Sequence, residues 1–309
     1  MYYEKYLKYK NKYFILKNQL GGSVNPNNNN KELLRAIEEN NFDLVKLLVK
    51  DVINLNYFDN LNYVYKYESP LALSIKKKNL ELVKYLVDNG ANVNFKFQER
   101  VYIDSLISML EIAIIYNSLE IIKYLIEKGA NIEDTNIEGS TALIIAINEG
   151  RPSIVKYLIE IGANIEHRDK SGRTPIMHTI DSISSNIDEK FEIIKYLIER
   201  GANTETCFEI EDEKMTLLEY AFDMVDYSSQ GTDDFFKTIK FLIENNVSFS
   251  LESLEKYITR KPNERWYNKN LSEYLKKFYL EKIEELRIHH GFKREIRPPK
   301  DEDEDEDEN

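Results

Sequence analysis

The chain has 309 residues, enough for one large domain or two, and a formal net charge of −12. Eight acids sit in the last nine residues, Asp301 to Asn309, leaving −4 on the other 300, and that body lacks the basic stripe nucleic-acid binding needs. A single cysteine, Cys207, excludes an intrachain disulfide and fits a reducing, intracellular compartment, while no apolar run approaches the ~18 residues that span a bilayer.

Residues 1–22 form a distinct element. Tyr2, Tyr6, Tyr9, Tyr13, Leu16 and Leu20 recur at steps of 4, 3, 4, 3 and 4, a heptad stripe on one face of an amphipathic helix. Lys5, Lys8 and Lys12 lie off that stripe, and the first twenty residues carry a local charge of +4. Such a segment is not the clean apolar core of a signal peptide. Three readings stay open: a helix that hangs free or docks on the first repeat of the chain, a short coiled coil for self-association, and a helix on a membrane surface. Gly21-Gly22 ends the element, and Ser23 to Asn30 reads as a polar, unstructured linker. The double glycine also has the form of a processing site for a Gly-Gly-directed protease, against the plainer reading of helix stop and hinge. The wording Lys5-Tyr6-Leu7-Lys8-Tyr9-Lys10-Asn11-Lys12-Tyr13, followed by Leu16-Lys17 and Leu20-Gly21-Gly22, resembles a leader on many proteins of giant DNA viruses of the mimivirus type. The resemblance implies a viral protein made in the host cytoplasm and carries no function with it.

Beyond the linker one pattern recurs: a β-branched residue, lysine, then Leu, Tyr or Phe, then leucine. It stands at Val45-Lys46-Leu47-Leu48, Val83-Lys84-Tyr85-Leu86, Ile122-Lys123-Tyr124-Leu125, Val155-Lys156-Tyr157-Leu158, Ile194-Lys195-Tyr196-Leu197 and Ile239-Lys240-Phe241-Leu242. Steps of 38, 39, 33, 39 and 45 residues mark a stacked-helix solenoid with variable insertions. Four of these helices end on Gly-Ala-Asn, at Gly90, Gly129, Gly162 and Gly201, and the sixth has Asn246 in that place. Glycine or asparagine there supplies a left-handed helix stop. The first unit has Val52 at this position, so its helix must end differently. Ahead of each such helix lies a second one with smaller residues. It starts at Ser69-Pro70, Thr141-Ala142, Thr174-Pro175 and Thr216-Leu217, with Ser or Thr as N-cap and a small residue five positions on.

These units resemble ankyrin repeats, whose pattern has Thr-Pro-Leu-His near the start and Gly-Ala-Asp-Val-Asn after the second helix. The likeness runs from about residue 31 to 250, as units 31–68, 69–107, 108–140, 141–173, 174–215 and 216–250. Thr174-Pro175-Ile176-Met177 comes nearest the first signature, and asparagine replaces the family aspartate in all four Gly-Ala-Asn stops. That replacement leads us to expect less regular turn hydrogen bonding. The implied fold is an all-α ankyrin-repeat solenoid of helix-turn-helix units with β-turn fingers.

In a stacked-helix array the concave face is built from fingers and first helices. The first finger holds Tyr57, Phe58, Tyr63, Tyr65 and Tyr67, and the second holds Phe95, Phe97, Arg100 and Tyr102. Exposed aromatics with an arginine have the composition of interface hot spots, so these residues are the candidate partner-binding set. The alternative is that they pack on each other as a long hairpin. Two further insertions, Ser182 to Glu189 and Tyr227 to Asp234, read as loops on the opposite face.

After Ser250 the pattern changes to two helices, Leu251 to Arg260 and about Trp266 to His289, a helical cap spanning 251–292 that closes the last repeat. The remaining 293–309 read as a solvated tail, basic then acidic. Poxvirus ankyrin proteins carry a C-terminal F-box-like segment that recruits a ubiquitin ligase, but the Leu-Pro-x-Glu start of that segment is missing here. No catalytic chemistry is legible. His167, His178, His289 and His290 lack metal-ligand spacing, and Cys207 has no histidine beside it. No phosphate-binding glycine pattern occurs, so no cofactor is expected. The sequence therefore points to a non-enzymatic scaffold that binds an unidentified host or viral protein through the concave face of fingers and first helices, with a substrate adaptor for a host ubiquitin ligase as the alternative.

Overall fold

The structure, a computed structural model, describes residues 26–50, 55–56, 59–60, 67–98, 106–181, 187–205, 208–210, 213–227, 232–249, 251–259 and 269–290. Within them the chain runs as helix pairs. The first four are α1 (Pro26–Glu38) with α2 (Phe42–Val49), α3 (Pro70–Lys76) with α4 (Leu80–Asp88), α5 (Met109–Ile115) with α6 (Leu119–Glu127), and α7 (Ala142–Asn148) with α8 (Pro152–Glu160). Next come α9 (Pro175–Asp181) with α10 (Ile187–Glu199), and α11 (Leu217–Tyr227) with α12 (Thr232–Glu244). Two more helices, α13 (Leu251–Ile258) and α14 (Lys269–His290), close the described chain. Three short antiparallel hairpins project between pairs: β1 (Asp59–Asn60) with β2 (Tyr67–Glu68), β3 (Lys96–Gln98) with β4 (Leu106–Ser108), and β5 (Phe208–Ile210) with β6 (Glu213–Met215). The chain forms two compact units, Met1–Ser171 and Gly172–Asn309. In the first, α1, α3, α5 and α7 pack side by side, each against its own partner helix. In the second, α9 packs on α11, α10 on α12, and α13 on α14. This is the all-α repeat architecture expected from the recurrence.

Four of the first helices, α3, α5, α7 and α9, are seven residues long and buried almost all round. In α3 every residue from Pro70 to Ile75 is buried, and in α7 every residue from Ala142 to Ile147. The small residues five positions after the caps, Ser74, Ala146, Thr179 and Ala221, are buried, as are Ala36 and Ala113 at the matching places in α1 and α5. The two hydroxyls among them are satisfied within their own helices. Ser74 Oγ donates to the Pro70 carbonyl at 2.7 Å, and Thr179 Oγ1 to the Pro175 carbonyl at 3.0 Å. Cap chemistry is less uniform than the sequence suggests. Ser69 Oγ accepts from Ala72 N–H at 3.1 Å, and Thr216 and Glu219 form a reciprocal box in which Thr216 N–H donates to the Glu219 carboxylate at 2.7 Å. Thr141 and Thr174 break the expectation, since their buried hydroxyls have no partner. At these two the helix begins on main-chain bonds, Ile145 N–H donating to Thr141 O and His178 N–H to Thr174 O, and Thr174 N–H also donates to Met177 Sδ at 3.5 Å.

The second helices end as the glycines foretold. Gly90, Gly129, Gly162 and Gly201 have φ of 101°, 90°, 95° and 87°, and Asn246 has 56°. Each donates its N–H to a carbonyl three residues back, and the next residue donates five residues back: Gly129 to Ile126 at 2.9 Å, Ala130 to Leu125 at 2.9 Å. The residue after each stop, Ala91, Ala130, Ala163, Ala202 or Val247, is buried against that end. The first helices end in the same way, which the sequence reading missed. Asn40, Lys78, Asn117 and Gly150 take φ of 56°, 54°, 51° and 61°. Val52 lies outside the described residues.

Lysine and tyrosine of the recurring pattern meet between neighbouring pairs. Lys84 lies over the Tyr124 ring at 5.6 Å, and Lys123 over Tyr157 at 5.8 Å. Tyr124 Oη also lies 3.3 Å from the Asp88 carboxylate, which pairs with Lys128 at 3.2 Å. Burial first, and then Asp88, raise the Tyr124 phenol above its ordinary range. At the C-terminal end Phe222 stacks on Tyr257 at 4.7 Å, Phe236 meets Tyr274 at 6.0 Å, and Phe249 meets Phe278 at 5.5 Å. The first two contacts hold α13 to α11 and α14 to α12, and the third holds α14 to the segment that follows α12.

Three expectations need correction. The linker 23–30 is helical from Pro26, because proline suits the first turn, where its missing N–H has no helical partner to lose. The insertion 182–189 is shorter than read, because Ile187 to Glu189 begin α10, where Asp188 and Glu189 favour the positive N-terminal end of the helix. The insertion 227–234 narrows likewise, with Tyr227 closing α11 and Thr232 opening α12. Residues 1–22, Gly21-Gly22 and the tail 293–309 lie outside the described residues.

No atom lies within 4 Å of a Cβ added at Gly129, so Gly129→Ala meets only backbone strain. It should cost about 1 kcal/mol in urea unfolding, and Gly129→Asn distinctly less. An equal cost for both would mean that the left-handed turn does not set this helix end. In alkali, a tyrosine in the unfolded chain ionises near pH 10 while folded Tyr124 holds its proton longer. The folded state then binds more protons, so stability falls as pH rises through 10. The urea midpoint should drop less for Tyr124→Phe than for the parent chain between pH 8 and pH 10.5.

Candidate binding surface

Each finger starts from the asparagine after a stop. Its side-chain oxygen accepts the N–H two residues on: Asn92 from Asn94 at 2.9 Å, Asn131 from Glu133 at 3.0 Å, Asn164 from Glu166 at 2.9 Å, Asn203 from Glu205 at 2.9 Å. The turns are therefore regular, contrary to expectation, because a carboxamide oxygen accepts here in place of a carboxylate. A second register of side chains ties each finger base to the next. Asn56 Nδ2 donates to Gly90 O at 3.3 Å, and its Oδ1 accepts Asn92 N–H at 2.6 Å. Asn94 does the same with Gly129 O at 2.9 Å and Asn131 N–H at 3.1 Å. Glu133 takes over as acceptor for Asn164 N–H at 2.9 Å. The spacing of Asn56, Asn94 and Glu133, each two residues after a turn asparagine or its counterpart, was the available signal.

Above this base the fingers of the first unit differ. The third and fourth are joined at their tips, where Lys170 N–H donates to Glu138 O at 3.0 Å and His167 Nε2 lies 2.8 Å from Gly139 O. The second and third are bridged by Lys96, whose Nζ reaches Asp134 at 2.7 Å and Thr135 O at 3.4 Å. Beside that bridge lies a small cleft of about 10 Å³, about the room of one water. Leu106, Leu110, Ala142 and Ile145 give it apolar walls, and Ser108, Glu111, Asn131 and Asn136 a polar edge. Leu106 is 49 % exposed on strand β4, and Ile137 is 42 % exposed in the turn of the third finger.

The sequence-derived candidates fall unevenly on this surface. Tyr67 stands in β2 opposite Asn60, Phe97 in β3 opposite Ile107, and Phe95 is half-buried at the base of β3. Tyr57, Phe58, Tyr63, Tyr65, Arg100 and Tyr102 lie outside the described residues, as does Cys207. Leu106, Ile137 and the Lys96–Asp134 bridge were missed, because aromatic content drew attention away from aliphatic finger residues. The third hairpin, β5–β6, was missed as well. Among the described residues no group of three His, Cys, Asp or Glu side chains could hold a metal ion, and no helix is long and apolar enough to cross a membrane. His178 is buried in α9.

The tip contact makes Gly139 demanding. Its φ is 81°, and a Cβ there would stand 2.8 Å from the Lys170 backbone nitrogen. Gly139→Ala should cost roughly 2 kcal/mol and speed amide exchange at Lys170. An unchanged exchange rate there would show that the two tips do not hold each other.

A family model described as ankyrin repeats (3 copies) matches residues 7–97 and 110–206, more than half of the chain. No curated protein matches it. The stacked helix pairs, their left-handed glycine stops and the hairpin fingers agree with that match, and the chain belongs to the ankyrin-repeat family.

Proposed function

We propose that this protein is a non-catalytic scaffold that captures a partner protein on its finger face. Ankyrin repeats generally mediate protein–protein interaction, and family membership supports that much directly. What supports the reading is the pair of aliphatic side chains Leu106 and Ile137, exposed on adjacent fingers, with Leu106 at the cleft. The first helices are buried among their neighbours, so the fingers are the part of the first unit most free to vary in chemistry. The finger groups suit recognition: aliphatic side chains, amides and a lysine–carboxylate bridge around a narrow cleft. We further propose a viral origin of the mimivirus type and action in the host cytoplasm, resting on the Lys- and Tyr-rich leader and the single cysteine. The adaptor alternative draws less support, because the aromatic contacts of α13 and α14 turn toward the last helix pair.

The test compares three variants for capture of partner from host cytosol: Leu106→Asp with Ile137→Asp; Tyr63→Ala, Tyr65→Ala and Phe97→Ala; and, on the second helices, Glu120→Lys with Lys123→Glu. Finger variants should lose at least tenfold in capture, roughly 1.4 kcal/mol, with melting unchanged. The second-helix variant should capture like the parent. Loss confined to the second-helix variant would place recognition elsewhere and end the finger reading.

A further inference from the structure

Two contacts hold the second finger against the third. At the base, Asn94 Nδ2 donates to Gly129 O at 2.9 Å and Asn94 Oδ1 accepts Asn131 N–H at 3.1 Å. Farther along, the Lys96 ammonium donates to the Asp134 carboxylate at 2.7 Å and to Thr135 O at 3.4 Å. A single clamp lets an arm swing about it, and a second tie away from the first stops the swing. The bond from Lys96 to Asp134 has the short length of a charge-assisted bond. Its two side chains are 28 % and 33 % exposed, and a pair withdrawn from water to that degree is screened less than one on the open surface.

The tie joins the two elements that carry the exposed aliphatic side chains. Lys96 pairs with Ser108 across the hairpin, and Leu106 stands two residues from Ser108, on the same face by strand alternation. Lys96, Leu106 and Ser108 all line the cleft, which agrees with that register. On the other side Asp134 and Thr135 lead into the turn of Ile137. That turn is braced on its own account. Asn136 Oδ1 accepts Glu138 N–H and Ser140 N–H at 3.0 Å each, and Lys170 N–H of the fourth finger donates to Glu138 O at 3.0 Å. Ile137 is thus held by its own finger and the fourth, and Leu106 is tied to it through Lys96. With the tie made, the cleft has room for about one water and none for a side chain. Leu106 and Ile137 stand exposed on either side of a shut surface.

We propose that Lys96 is a positioning residue of the finger surface. Its bond to Asp134 holds Leu106 and Ile137 at one separation and keeps the cleft shut. The surface so set offers two exposed aliphatic groups and no socket. The partner it fits brings the socket: an apolar hollow that receives Leu106 and Ile137, in place of a side chain inserted between the fingers. This rests on the finger reading above and adds what the partner must present.

Nitroxide labels on the full chain test the positioning, attached at Leu106→Cys and Ile137→Cys with Cys207→Ser. Electron–electron distance measurement should give one narrow distribution with Lys96 in place. Lys96→Met keeps the aliphatic stem and removes the charge, and should at least double the width. Lys96→Glu with Asp134→Lys should bring the parent width back, whereas Lys96→Glu alone should not. An unchanged width in Lys96→Met, or no recovery in the exchanged pair, overturns the proposal. Xenon, a small apolar probe, tests the shut cleft in the unlabelled chain. It should leave the methyl signals of Leu110 and Ile145 in place in the parent and shift them in Lys96→Met. Equal responses in the two chains, shifted or not, overturn the closed state and with it the partner's socket. Failure of the finger reading shows elsewhere, as capture that survives Leu106→Asp with Ile137→Asp, whatever the label widths do.

Discussion

The first helix of each repeat cannot exist alone, and the rest of the molecule depends on that. These helices are mostly seven residues long, below the length at which a helix persists in water. Six consecutive residues of α3 and of α7 are buried, so each helix needs apolar cover on every side. One partner helix covers one side only. The neighbouring pairs must supply the others, and the small residues Ala36, Ser74, Ala113 and Ala146 let them come close enough.

That demand sets tight conditions on chain reversal. A repeat needs two stops, one after each helix, placed so that both helices return in register. Both kinds of stop use one device: a residue at positive φ, a hydrogen bond three residues back, and one five residues back from the next residue. Where the first helix ends, the chain tolerates Asn40, Lys78 and Asn117, although left-handed backbone strains a lysine by about 1 kcal/mol or more. Where the second helix ends, four of the five described stops are glycine and a buried alanine or valine follows all five. Asparagine then takes up the main chain twice, through its own turn and through the clamp onto the next repeat.

These conditions explain what could be read from the sequence. Gly90, Gly129, Gly162 and Gly201 were legible because only one physical role fits glycine at that recurring place. Asn246 was legible for the same reason. The clamps at Asn56, Asn94 and Glu133 were harder, since a polar residue in a turn has several plausible partners and only geometry selects one. Lys78 carried no signal, because lysine, unlike glycine or asparagine, gives no hint of a left-handed backbone. The loop readings at 182–189 and 227–234 ran long, since charged residues such as Asp188 and Glu189 look like loop yet suit a helix start. Leu106 and Ile137 were passed over because isolated aliphatic residues ordinarily vanish into a core, and nothing local says that these stay exposed.

A stack of this kind has only two kinds of apolar exposure, its ends and its edges. An open end accepts any similar end, so it invites growth of the array and cannot discriminate among partners. In the second unit the aromatic contacts of α13 and α14 cover apolar rings of the last helix pair and the turn after it. The edges are where an apolar group can stand in water without serving the stack. There a finger side chain can vary independently of its helices, because the clamps that hold the finger bases use Asn94 and Glu133 and leave Leu106 and Ile137 outside them. Leu106 and Ile137 can therefore change without cost to the array, and that freedom is what a surface needs if it is to distinguish one partner from another.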